Sequence, residues 1–246
     1  MRFPKERDTE MNRMRNAALA GAMAMAMAWA LPAQAEQLIY GFQAELLEYR
    51  QGDGEDSFVW DFDALIGTDE LKLVWRSEGE RVQGAEGFEA LENQLRLQFP
   101  VSTFFDAVVG IQASTPDGMP DRYNAVLGLK GLAPQWFEID ADLYLSDHSF
   151  FRFEGEYEAM LTNRLILTPN LELTVPLQDD LAYDQAAGGA TIEAGLRLSY
   201  DLIDRAVSPY IGVNYERSYG GTADLIRAAG DKNGMLSVVF GTRLMF

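Results

Sequence analysis

The stretch Gly188–Phe246 constrains this chain most. Within it Ile192, Ala194, Leu196, Leu198 and Tyr200 alternate with Glu193, Arg197, Ser199 and Asp201, and two later runs alternate the same way up to the C-terminal Phe246. A period of two sends successive side chains to opposite faces of a β-strand. One face is then smooth and apolar, and the other is charged. A strand with lipid on one side and water on the other needs that division, because a transmembrane β-barrel turns its apolar face outward and its polar face to the lumen.

The same alternation fills the chain beyond residue 35. Segments at Glu36–Arg50, Ser57–Leu65, Glu70–Glu80, Phe88–Phe99, Phe104–Ala113, Arg122–Lys130, Gln135–Leu145, Phe150–Leu161 and Arg164–Val175 precede the three closing runs, about twelve in all. Each is close to the ~10 residues that cross a bilayer at a tilt, and an even count suits a bacterial barrel. On the first segment Tyr40, Phe42, Ala44 and Leu46 are expected to share the outer face. Connections alternate in length: 114–121, 176–189 and about 218–235 are long, whereas 66–69, 100–103, 131–134, 162–163 and about 203–208 are tight. Long outer loops and short periplasmic turns are the barrel asymmetry, with both termini in the periplasm. The connection Ser146–Ser149 is short for an outer loop, and Thr222–Gly230 reads as a helical turn within the last one. Aromatic residues gather near segment ends, among them Tyr40, Trp75, Phe99, Phe104, Trp136 and Tyr219, as interfacial girdles do. The expected fold is an all-β, antiparallel, up-and-down transmembrane barrel over residues 36–246.

Residues 1–35 read as a cleaved signal peptide. Arg13 and Arg15 form a positive start, Ala17–Leu31 is an apolar core, and Ala33-Gln34-Ala35 is a small-residue cleavage site. The alternation of Met23, Met25 and Met27 with alanine belongs to that apolar core. Export places the mature barrel in the bacterial outer membrane, with its lipids as partners.

Fifteen of the twenty basic residues and thirty-five of the thirty-eight acidic ones lie beyond residue 35, a net charge of −20 for that part. Such a chain repels nucleic acid, which rewards basic patches. With no cysteine there is neither a disulfide nor a thiolate ligand. The inward positions carry many carboxylates: Asp61, Asp63, Glu92, Asp106, Glu138, Asp140, Asp142, Glu154, Glu156, Glu172, Glu193 and Glu216, facing Arg76, Arg96, Arg152, Arg164, Arg197 and Arg243. Two readings follow: a charge network filling a narrow lumen, since buried carboxylates need partners, or a cation-attracting lumen. Acid is densest where Glu138, Asp140 and Asp142 face Glu154 and Glu156 on the next segment, which makes these five candidate metal contacts. His148, the one histidine, is a sixth, placed on an outer rim, with Met119 and Met235 in outer loops. Ser146-Asp147-His148-Ser149 contains hydrolase letters, but four consecutive residues cannot supply triad geometry, so no enzyme activity is expected.

Several longer pieces carry a resemblance: EGERVQG (Glu78–Gly84), GLAPQWFEIDADLYLSDHS (Gly131–Ser149), TNRLILTPNLEL (Thr162–Leu173), GLRLSYDL (Gly195–Leu202) and SPYIGVNYERSYGGTADLIRAAG (Ser208–Gly230). In this order and spacing they resemble the copper-resistance protein B family of outer-membrane proteins. The resemblance implies an outer-membrane barrel in copper resistance that binds copper or moves it across the membrane. It also implies copper ions and periplasmic copper-handling proteins as partners. A Met- and His-rich segment that family members often carry between signal and barrel is missing, because the alternation begins almost at Glu36.

Overall fold

A computed structural model describes residues 37–52, 55–203 and 205–246, so the expected signal peptide lies outside the described residues. Nearly all of the described chain is antiparallel sheet. The strands are β1 (Ile39–Gly52), β2 (Ser57–Gly67), β3 (Lys72–Val82), β4 (Ala90–Pro100), β5 (Phe105–Ser114), β6 (Arg122–Ala133) and β7 (Phe137–Leu145). Then come β8 (Phe150–Glu156, resuming at Ala159–Met160), β9 (Leu165–Pro176), β10 (Ala190–Tyr200), β11 (Val207–Tyr219) and β12 (Gly234–Met245). Both pieces of β8 pair with β9, so they occupy one position in the sheet. Each strand pairs with its sequence neighbours, and β12 pairs with β1. The barrel is therefore closed at twelve strands. The C-terminal residue takes part in the seam, where Phe42 and Phe246 exchange backbone hydrogen bonds of 2.9 and 2.8 Å.

The outer face is apolar and exposed. Leu73, Trp75, Leu95, Leu97, Ile111, Leu127, Leu129, Ile211 and Val213 stand on it in alternate positions. In water so large an apolar band would drive association; around a barrel it is the lipid-facing surface. The inner face holds charge instead, and its fully buried side chains include Arg96, Gln94, Gln112, Glu48 and Asp142.

Three of the tight turns share one device. Thr68, Ser102 and Thr162 each turn a hydroxyl back to accept from the backbone N–H groups two and three residues on. Such side chains satisfy turn donors that the ladder leaves free. At the opposite end 146–149 is as short as the turns, whereas the connections 83–89, 115–121, 177–189 and 220–233 are longer. The last carries helix α1 (Gly220–Ala229), stopped by Gly230 in the left-handed region at φ 98°.

The first strand departs from simple alternation. Its pairing with β2 shifts register between Ala44 and Leu46, a β-bulge at Glu45. A bulge adds one residue and reverses the facing of all that follow. Leu46 consequently lies opposite Asp61 on the lumenal face, and Leu47 takes the outer place opposite Trp60. The expectation that Leu46 joins Tyr40 and Phe42 outside is thus corrected.

Candidate functional site

The same bulge creates the most buried charge in the lumen. It turns Glu48 inward, where the side chain is 0% exposed. The carboxylate accepts from Arg50 Nε at 2.8 Å, Arg197 Nε and Nη2 at 2.9 Å each, and the Tyr210 hydroxyl at 3.0 Å. Arg50 reaches on to Glu193 at 2.8 Å, and Arg197 to Asn170 Oδ1 at 2.7 Å. Strands β1, β10 and β11 are tied together by this knot. Strict alternation passes over Glu48 and Arg50, because nothing in the local residue pattern announces the extra residue.

A second network crosses the barrel. Arg76 on β3 donates to Glu154 on β8 at 3.1 Å and lies 3.5 Å from Asp140 on β7. Arg96 on β4 holds Asp140 at 3.1 Å and Asp142 at 2.6 Å. Arg152 on β8 returns to Glu78 at 3.1 Å and Glu92 at 3.2 Å. The large side chains need room, and glycines supply it. Gly128 stands opposite Asp142 and Gly110 opposite Arg96, where a Cβ would meet those side chains. Inward glycines beside charged strands are the sequence signal for this packing.

The predicted metal contacts separate on this scaffold. Asp140 is gripped by Arg96, Arg76 and Lys130, while Asp142 sits behind Arg96 with Tyr144 beside it. Glu154 pairs with Arg76, and Glu156 pairs with Arg243 at 2.7 Å. Glu138 faces Glu156 across the strands at the turn end and is exposed. His148 stands apart at the loop end, its Nδ1 3.2 Å from the Asp179 carbonyl and 3.5 Å from the Asp180 carboxylate. Ser146 and Ser149 use their hydroxyls on the backbone of their own turn, not on the imidazole. Two placements are corrected. Arg164 lies exposed in the turn before β9, not in the lumen, and Met235 is the second residue of β12, paired with the lumenal Glu216.

Between the networks lies a cavity of about 250 Å³. Eleven carboxylates and four cationic side chains line it, including Glu138, Asp140, Glu154 and Glu156 but neither Asp142 nor His148. Its donors are oxygens in a field that favours cations. Among the described residues no group of three or more His, Asp or Glu closes around a metal position. Above the cavity, in the loop outside the strands, Asp180 accepts from Arg122 at 2.7 and 2.9 Å. That guanidinium holds the Asp180 carboxyl below its ordinary range, with partial burial opposing it.

Over residues 38–246 the sequence matches the family described as "Copper resistance protein B precursor (CopB)". Copper resistance protein B of Escherichia coli is 35% identical over 202 residues, which span 81% of this chain and 67% of that protein. The copper resistance protein B homolog of Pseudomonas syringae pv. tomato (strain ATCC BAA-871 / DC3000) is 35% identical over 207 residues, 83% of this chain and 69% of its own. Among solved structures the NanC porin superposes with a TM-score of 0.52 at 12% identity, covering 84% of this chain and 99% of its own. That last likeness speaks for the barrel fold alone.

Proposed function

The chain belongs to the copper resistance protein B family of outer-membrane barrels, and from that premise we propose that it moves copper ions across the membrane through its acidic lumen. The observation that carries this reading is the cavity wall, where carboxylates outnumber cations eleven to four. A low-dielectric wall lined by one sign of charge raises the local concentration of the opposite ion. Copper(II) accepts carboxylate and imidazole ligands, and copper(I) prefers thioether or imidazole. Copper is therefore cargo. In transit Glu138, Glu154 and Glu156 offer it oxygen contacts, Asp140 and Asp142 hold the arginines beside them, and His148 presents an imidazole at the loop rim. Periplasmic copper-handling proteins would meet the ion at the turn end.

The test is copper sensitivity and cell copper content with and without the gene. A difference in both is expected; equal sensitivity and equal content would end the reading. A second reading is a cation-preferring pore with no copper role, favoured by the oxygen-only donors of the cavity. It predicts potassium passage unaffected by micromolar copper, whereas a copper path predicts that copper competes.

A further inference from the structure

Pairing registers reveal an order in the lumen that no single strand shows. Glu216 on β11 lies opposite Glu193 on β10. Glu193 lies opposite Glu172 on β9, Glu172 opposite Glu154 on β8, and Glu154 opposite Asp140 on β7. Five neighbouring strands thus each place one carboxylate in an unbroken row. Directly opposed residues sit about 5 Å apart at Cβ, and like charges so placed destabilise a sheet. Because barrel strands tilt, a row along the hydrogen-bond direction also travels along the axis. It starts near the loop end, at Glu216 three residues from the end of β11, and reaches the turn-end half at Asp140 on β7.

The members are not equally neutralised. Glu193 has Arg50, Glu172 has Arg152, Glu154 has Arg76, and Asp140 has three cations. Among the described residues Glu216 has no ion pair, and Arg50 is taken up by Glu48 and Glu193. Two residues from it on the same lumenal face, Asn214 is 2% exposed and its Oδ1 has no hydrogen-bond partner among the described residues. A buried amide oxygen without a protein partner is open to a bound ion or water. On the other side, opposite Glu216, stands the thioether of Met235. A carboxylate, an orphan amide oxygen and a soft sulfur therefore gather where the row begins.

We propose that Glu216, Asn214 and Met235 form the entry site for a copper ion and that the row Glu193, Glu172, Glu154 is the track it then follows. This rests on the copper-transport reading and gives it a place. The sulfur favours copper(I) over hard cations, and the oxygens tolerate copper(II). At Asp140 the row is closed by three cations, among them Lys130, which lies opposite it on β6. The ion must there leave the row for the exposed Glu138, which faces Glu156 one step nearer the turn end.

The experiment measures copper entry into vesicles holding the purified barrel, with copper(I) and copper(II) supplied separately. The wild type is compared with Glu216→Gln, Met235→Leu and, as control, Asp224→Asn on the exposed face of α1. Met235→Leu preserves volume and charge and guards against loss of folding, which gel mobility of unheated samples checks. Glu216→Gln should slow entry of both ions at limiting copper by at least about tenfold, the lower bound seen when even an outer partner of a metal ligand is lost. Met235→Leu should slow copper(I) more than copper(II). If folded Glu216→Gln and Met235→Leu both match the wild type, the entry site is wrong although transport stands. If the wild type itself admits no copper, the transport reading and the track fall together.

Discussion

Glu48 and Glu216 are both lumenal glutamates, on strands separated only by β12, yet their surroundings are opposite. Glu48 is fully enclosed and accepts from two arginines and a tyrosine. Glu216 faces another carboxylate across the pair and, among the described residues, has no ion pair of its own. The first is a structural knot, whose charge is cancelled within the chain. The second is left open to something from outside. An acidic lumen is therefore not one site: carboxylates enclosed by several donors build the barrel, and those with one cation or none can meet an ion.

The comparison breaks first at the knot. Glu48→Gln should destabilise the folded barrel by about 3–5 kcal/mol, because Arg50 and Arg197 would stay buried without their shared anion. Urea unfolding followed by tryptophan fluorescence measures it, and a loss under about 1 kcal/mol would make Glu48 no more structural than Glu216. Arg96→Met comes next. Asp142 would lose its one close cation, whereas Asp140 keeps Arg76 and Lys130, so a smaller loss of about 2–3 kcal/mol is expected in the same assay. Glu216→Gln should go the other way. Removing one of two opposed carboxylates should leave stability unchanged or raise it by up to about 1 kcal/mol; a clear loss would give Glu216 a hidden partner and erase the contrast.

The smallest effect lies outside the membrane. Asp180 has its pKa lowered by Arg122, so its contribution is present above the ordinary value of 3.8 and is lost as pH falls through the lower folded value. The contact between Arg122 and the 177–189 loop should therefore persist at pH 4 and loosen only in stronger acid. Acid-stable protease cleavage within that loop reads this out. Loosening that begins near pH 6 would contradict this.

Much of this architecture was legible in the residues. Alternation placed Tyr40 and Phe42 outside and Arg76, Arg96, Asp140 and Asp142 inside, and most of the connection lengths told one end from the other. Thr222–Gly230 already read as the helix now seen as α1. What escaped was whatever depends on two strands at once. The bulge at Glu45 is a mismatch between β1 and β2, so the phase of Leu46, Glu48 and Arg50 could not be read from β1 alone. Met235 read as loop because Gly234 precedes it, and only pairing with β11 sets it against Glu216. The carboxylate row is likewise a property of registers. Twelve lumenal acids were named from their strands, but their order around the wall belongs to the closed sheet.

The central claim is that the acidic wall carries copper as a cation through the barrel. Single barrels in a planar bilayer, with a gradient of copper(II) chloride as the only salt, test it most directly. The account predicts a measurable current whose reversal potential has the sign set by copper moving down its gradient. A reversal potential set by chloride, or no current under this gradient, would contradict it.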